Sequence, residues 1–313
     1  MTFGECMIRL SPSGNERLEF ATSLDVQIGG AESNVAINLA RLGKRTGWFS
    51  RLPDNPLGRR VVNKLREMGV NTSGVVWHPD ARMGTYFIEF GSDPRPIQVI
   101  YDRANSAASQ LTVADLPTEQ IQFARWLHLT GITAALSDSC REAIVDAIKI
   151  AKRRGVTISF DVNYRAKLWS PKEARRTVTQ FCKDADVVFV AARDAVNLFG
   201  ASGDFHDIAR ELQQLWGGTV VVSQGTDGIC ATDGGAVVTA KAFQVDIVDR
   251  VGAGDAMASG IICRLLEDAS LQDALQFGSA LAALKMTIPG DLALVSRAEV
   301  EALIDDESGS LNR

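Results

Sequence analysis

From about residue 125 onward, short apolar runs alternate regularly with amphipathic stretches. Trp126-Leu127-His128-Leu129 reads as a strand, and Ile144, Ala147, Ile148 and Ala151 then recur at the three- and four-residue spacing of a helix. Residues 156–160 are the next strand and 171–182 the next helix, with Pro171 suited to a first helical turn. A strand at 187–190, a helix from about His206 to Trp216 and a strand at 219–222 continue the series. These strands are apolar throughout rather than alternating. That pattern predicts burial on both faces, hence a largely parallel sheet covered by helices. An earlier helix is predicted over residues 32–42, with Gly43 supplying its left-handed C-terminal residue.

The segment 84–103 breaks the rhythm. Thr85-Tyr86-Phe87-Ile88-Glu89-Phe90 and Ile97-Gln98-Val99-Ile100-Tyr101 flank a loop at 91–96 with no helix between them, so they predict an antiparallel hairpin outside the main sheet. Strand parity puts Tyr101 and Arg103 on one face. That face is either solvated surface or a sheet leaning over a polar ligand. The polar tail after Asp305 reads as frayed.

Composition narrows the function classes. With 46% hydrophobic and 23% charged residues among 313, the chain is a globular protein of one large α/β unit or about two domains. A net charge of −5 gives a nucleic-acid backbone nothing to bind. No window approaches the ~20 apolar residues of a membrane span. Five scattered cysteines without C-x-x-C spacing read as buried thiols of a cytoplasmic protein, and three isolated histidines exclude a zinc site.

The candidate chemistry lies in Asp249-Arg250-Val251-Gly252-Ala253-Gly254-Asp255-Ala256, followed by an apolar-periodic run at 257–266. Small residues at a helix start leave backbone N–H groups open, and with the helix dipole they form an anion site. Asp255 beside it is placed to take a proton from an attacking hydroxyl, a pairing that suits phosphoryl transfer. A plain Gly-rich helix start, with Asp255 complementing the dipole, is the other reading. Near the N-terminus, Gly29-Gly30 precedes a helix on which Asn34 and Asn38 share a face and could grip hydroxyls. Neither G-x-G-x-x-G after the first strand nor G-x-x-x-x-G-K-[ST] is present, which disfavours a Rossmann dehydrogenase and a P-loop enzyme.

Residues 29–43 and 249–260 together resemble the two signatures of the ribokinase-like (PfkB) carbohydrate kinases. Within that family the chain is similar to the 2-keto-3-deoxygluconate kinases, through Gly84-Thr85-Tyr86-Phe87, Val99-Ile100-Tyr101-Asp102-Arg103, the run Asp161-Val162-Asn163-Tyr164-Arg165-Ala166-Lys167-Leu168-Trp169, and Pro289-Gly290-Asp291. The resemblance implies a single three-layer α/β/α domain over 1–313, with a β lid formed by about 7–20 and 84–103. It implies ATP-dependent phosphorylation of 2-keto-3-deoxygluconate to 2-keto-3-deoxy-6-phosphogluconate, with Asp255 as base and the amides of Gly252, Ala253 and Gly254 as anion hole. Gly30, Asn34, Tyr86, Tyr101, Arg103, Arg165 and Asp291 would line the sugar-acid pocket. Guanidinium groups suit the carboxylate that a neutral sugar lacks.

On the nucleotide side the resemblance implies Asp194, Gly225, Gly228 and Ser279, with ATP and Mg2+ as cofactors. The sequence departs there: the family's N-x-x-E reads Ala191-Ala192-Arg193-Asp194, and Ser279 stands where relatives often have Asn. Arg193 is placed to restore a charge. In some relatives K+ binds at the positions of Asp249 and the Val251 carbonyl, and a loop-structuring Asp249 is the equal alternative. A homo-oligomer joined through the lid is implied, with no nucleic-acid or membrane partner. Rival readings are a kinase of the same family for a neutral sugar such as fructose or ribose, and a non-catalytic sugar-acid-binding homologue.

Overall fold

In a computed structural model, residues 1–91 and 94–310 are described. The apolar strands alternate between two cores. In Val187–Ala191, Val188 and Val190 face one core while Val187 and Phe189 face the other, and Val220 and Val222 oppose Val221 in the same way in Thr219–Ser223. Two-faced burial is the reason these strands carry no polar alternation. The first core is covered by Asp138–Arg153, Pro171–Asp184 and Phe205–Trp216, the second by Ala31–Arg41, Ala253–Leu265 and Leu271–Met286. The result is a three-layer α/β/α body.

The large sheet has eight strands in the order Val238–Ala240, Ile229–Thr232, Thr219–Ser223, Val187–Ala191, Thr157–Asp161, Trp126–Thr130, Thr2–Phe3 and Trp48–Phe49. Its pairs are parallel except the two that involve Ile229–Thr232. The carboxyl ends of the central strands therefore open on one side, where ligands of such sheets bind.

A second sheet of four strands runs in the order Asp25–Gly29, Met7–Ser11, Thr85–Glu89 and Gln98–Asp102. The expected hairpin is present, with Tyr86 opposite Tyr101 in register and their rings 5.9 Å apart. The expected lid bounds need correction. Only Met7–Ser11 of the 7–20 segment is strand, because Pro12 has no N–H for a ladder and Gly14 turns at φ 59°. Asp25–Gly29 replaces the remainder and runs directly into the helix Ala31–Arg41.

The tail also differs from expectation: a helix spans Arg297–Ser310. A reciprocal cap starts it, with the Ser296 N–H donating to Glu299 Oε2 at 2.6 Å and the Glu299 N–H to Ser296 Oγ at 3.3 Å. Ser92 and Asp93 of the expected hairpin loop, and residues 311–313 of the tail, lie outside the described residues. Among the described residues no helix is long and apolar enough to cross a membrane.

Candidate active site

Gly252 enters the helix Ala253–Leu265 at φ 83°, a left-handed conformation that glycine adopts without strain, and a Cβ there would collide with the Asp291 carbonyl oxygen. The turn leaves the N–H groups of Gly252, Gly254 and Asp255 without an intramolecular acceptor among the described residues. The Ala253 N–H, expected in the anion hole, instead points to the Arg250 carbonyl at 3.3 Å. Asp255 takes its place as the third open amide.

The Asp255 carboxylate is half-buried and accepts a 2.7 Å hydrogen bond from Asn34 Nδ2. Burial pushes its pKa up to about 8, with Asp161 and Asp291 adding to the rise and Asn34 and Arg165 opposing it. Asp161, at the carboxyl end of Thr157–Asp161, is raised by burial to about 7 and lowered in part by Arg165. A carboxylate held above its usual range beside open amides can accept a proton while the amides receive charge.

A cavity of about 440 Å³ lies between the four-stranded sheet and the strand ends, and Asp255, Gly252, Gly254, Gly30, Asn34, Tyr86, Tyr101, Arg103, Arg165 and Asp291 all reach it. Gly30 is close-packed, since a Cβ would strike the Glu5 carbonyl oxygen. The two expected guanidinium groups differ. Arg103 forms an ion pair with the buried Glu5 and lies 5.5 Å over the Tyr101 ring, so its charge is already balanced. Arg165 is exposed and forms no ion pair among the described residues. Tyr86 donates to Asp291 Oδ2 at 2.8 Å, and Asp291 Oδ1 is bound by Arg9 at 2.6 Å, so Asp291 reaches the cavity with both oxygens engaged. Asn38 stays out of the site, where its Oδ1 accepts from the Ala293 N–H at 3.1 Å.

Of the residues expected to meet a nucleotide, Asp194 is buried at the cavity wall, with Arg193 Nε at 3.3 Å from its Oδ1. An adjoining cavity of about 760 Å³ shares Tyr101, Arg103, Arg165, Arg193 and Asp194 with the first and adds Lys167. Gly225 and Gly228 sit in the turn that follows Thr219–Ser223, outside both cavity linings. Ser279 Oγ donates to the Lys241 carbonyl at 2.7 Å, so its hydroxyl is already engaged. For Mg2+, a cation that takes one or two carboxylates plus ligand phosphates, Asp161 and Asp194 offer the hard oxygen donors it prefers, and both line the cavity.

The expected K+ site at Asp249 and Val251 does not fit. Asp249 Oδ1 accepts from the Val251 N–H at 2.9 Å, and Oδ2 accepts from Arg9 Nη2 at 2.7 Å and the Gly290 N–H at 2.9 Å. Asp161 and Arg250 line the cavity but were not singled out as site residues from the sequence, and Arg9, which holds Asp291, was not either. Asp161 was legible as a polar residue closing an apolar strand, and Arg250 as a cation next to the anion turn. Arg9 carried no signal beyond being a charge inside a strand.

The family profile for pfkB family carbohydrate kinases matches residues 1–296. The chain is 43% identical to 2-dehydro-3-deoxygalactonokinase of Haloferax volcanii, covering 100% of this chain and 98% of the relative. It is 36% identical to 2-dehydro-3-deoxygluconokinase of Thermotoga maritima, whose crystal structure matches with a TM-score of 0.93 over 97% of this chain and 98% of that one. An E. coli protein provisionally named ribokinase II, solved with ATP and Mg2+, shares the fold at a TM-score of 0.89 and 22% identity, over 97% of this chain and 98% of that one. The profile spans nearly the whole sequence and the identities hold over nearly the full length of both chains: this chain belongs to the pfkB family of carbohydrate kinases.

Proposed function

We propose that this kinase phosphorylates the terminal hydroxyl of 2-keto-3-deoxygluconate, also called 2-dehydro-3-deoxygluconate, using ATP and Mg2+. The observation that carries the reading is Arg165, a guanidinium with no ion pair among the described residues, facing the cavity that holds Asp255. A sugar acid brings a carboxylate to meet it, and Arg–carboxylate hydrogen bonds are short and often bidentate. Arg103, balanced by Glu5, contributes shape and a hydrogen-bonding edge more than net charge.

Asp255 accepts the proton of the hydroxyl as its oxygen bonds to the γ-phosphorus. The bond from that phosphorus to the β–γ bridging oxygen breaks and ADP leaves. The amides of Gly252, Gly254 and Asp255 receive the charge of the transferring group. Bound Mg2+ would neutralise nucleotide phosphate charge, and Asp161 and Asp194 are the residues to hold it. Gly225, Gly228 and Ser279 remain the nucleotide-contact candidates through backbone and packing. The lid carries exposed Val26 and Ile100, which suits a homo-oligomer joined there, and five buried free cysteines suit a reducing cytoplasm.

The Haloferax volcanii relative favours a second reading, the galactonate epimer of the same acid. A panel of both acids with fructose and ribose, coupled to ADP release, tests the proposal. Turnover on either acid well above the neutral sugars supports it. Preference for a neutral sugar, or binding of the acids without turnover, would replace it with a neutral-sugar kinase or a non-catalytic binder.

A further inference from the structure

Behind the anion turn lies a group of charges that the chemistry above does not use. Lys285, on Leu271–Met286, is 0% exposed, and its Nζ donates to the Asp249 backbone carbonyl at 2.8 Å and to that of Ile288 at 3.3 Å. Arg9, from the lid strand Met7–Ser11, is 1% exposed and bridges Asp249 and Asp291 through its two terminal nitrogens. Two fixed cations therefore face two carboxylates, and the buried cluster is neutral as built.

The same contacts tie the anion turn to its neighbour. The Val248 and Asp249 N–H groups both donate to the Met286 carbonyl, at 2.8 and 3.0 Å, and the Asp291 carbonyl oxygen lies against Gly252. Lys285 thus grips the carbonyl that begins the 249–255 turn from the far side of the loop at 286–291. A monovalent cation placed here would compete with the ammonium for the Asp249 carbonyl and with Arg9 for the Asp249 carboxylate. It would also leave one positive charge unbalanced in a buried site, an arrangement that desolvation disfavours.

We infer that Lys285 stands in for a monovalent cation: its ammonium is the covalent counterpart of the ion, and it positions the anion turn through the Asp249 carbonyl. The kinase accordingly has no K+ requirement. The inference rests on the kinase assignment and is independent of which sugar is the substrate.

The test compares wild-type protein in K+, Na+ and tetramethylammonium chlorides at matched ionic strength. Turnover should agree across the three within about twofold. K+ at about 100 mM should raise the melting temperature no more than tetramethylammonium does, because an ion that binds only the folded state would stabilise it. The melting comparison needs no substrate, so it stands even if the sugar assignment fails. Saturable activation by K+ of about tenfold or more, or a K+-specific rise in melting temperature, would overturn the inference.

Lys285→Met supplies a second arm. If folded, it should lose about tenfold or more of kcat in tetramethylammonium, and K+ or NH4+ should restore part of the loss. Wild-type kcat in tetramethylammonium, or a loss that neither ion relieves, would overturn the role given to Lys285. If the variant does not fold, the wild-type ion series decides alone.

Discussion

The side chains of Asn34 and Asp255, 221 positions apart in sequence, meet through a 2.7 Å hydrogen bond. One lies on the helix that follows the lid, the other on the helix that starts at the anion turn. The bond gives Asp255 a fixed orientation toward the cavity and partly offsets the burial that raises its pKa.

Replacing Asp255 by Asn keeps the Asn34 contact possible and removes the proton acceptor. Loss of a general base typically lowers turnover about 10²–10⁴-fold. Calorimetry should show sugar binding retained. Stability moves the other way. The folded carboxyl, at about 8, holds a proton that the unfolded chain, near 3.8, releases. The wild type therefore loses stability as pH rises between those values, and the Asn variant does not. Its melting temperature should exceed that of wild type by a margin that widens from pH 5 to pH 8, checked by thermal melts across about that range.

The same shift sets a pH–rate profile. The base acts ionised, so kcat/KM should climb with pH through the region of about 8, where Asp255 titrates, and level off above it. Asn34→Ala removes a bond to the charged form and should move the limb to higher pH. A limb near the ordinary carboxylate range, unmoved by Asn34→Ala, would contradict the assignment.

Gly252→Ala should be damaging out of proportion to one methyl group. The left-handed φ of 83° costs an L-residue roughly 1–2 kcal/mol, and the new Cβ meets the Asp291 carbonyl oxygen. Denaturant melts should report at least that loss, and kcat should fall as the amides are displaced. Wild-type stability and rate together would show the turn to be less constrained than described.

Much of the architecture was legible in the sequence because two-faced burial leaves an apolar run with no alternation, as in Val187–Ala191. The helix Leu271–Met286 was harder to see. It is packed on several sides, so Leu, Ala and Phe recur all round it and no amphipathic stripe marks it. Asp25–Gly29 was hidden because Asp25 and Val26 are exposed and only its last two residues are buried. Among the candidate site residues, the 249–256 turn was legible in its small residues before Asp255, and Arg165 only through the resemblance carried by residues 161–169. Arg9 was not legible, since its partners Asp249 and Asp291 lie at least 240 positions away. Lys285 left a trace, as a lone charge among Leu281, Leu284 and Met286.

The central claim is that Arg165 reads the carboxylate of a sugar acid. It is tested most directly by kcat/KM for 2-keto-3-deoxygluconate and for fructose, in wild type and in Arg165→Leu. A hydrogen bond to a charged partner is worth roughly 1.5–3 kcal/mol, or about 10- to 150-fold. The account predicts strong wild-type preference for the acid and a loss of that size or larger in the variant on the acid, with little change on fructose. Equal losses on both substrates would contradict it, making Arg165 a support of the pocket at large and the enzyme a neutral-sugar kinase.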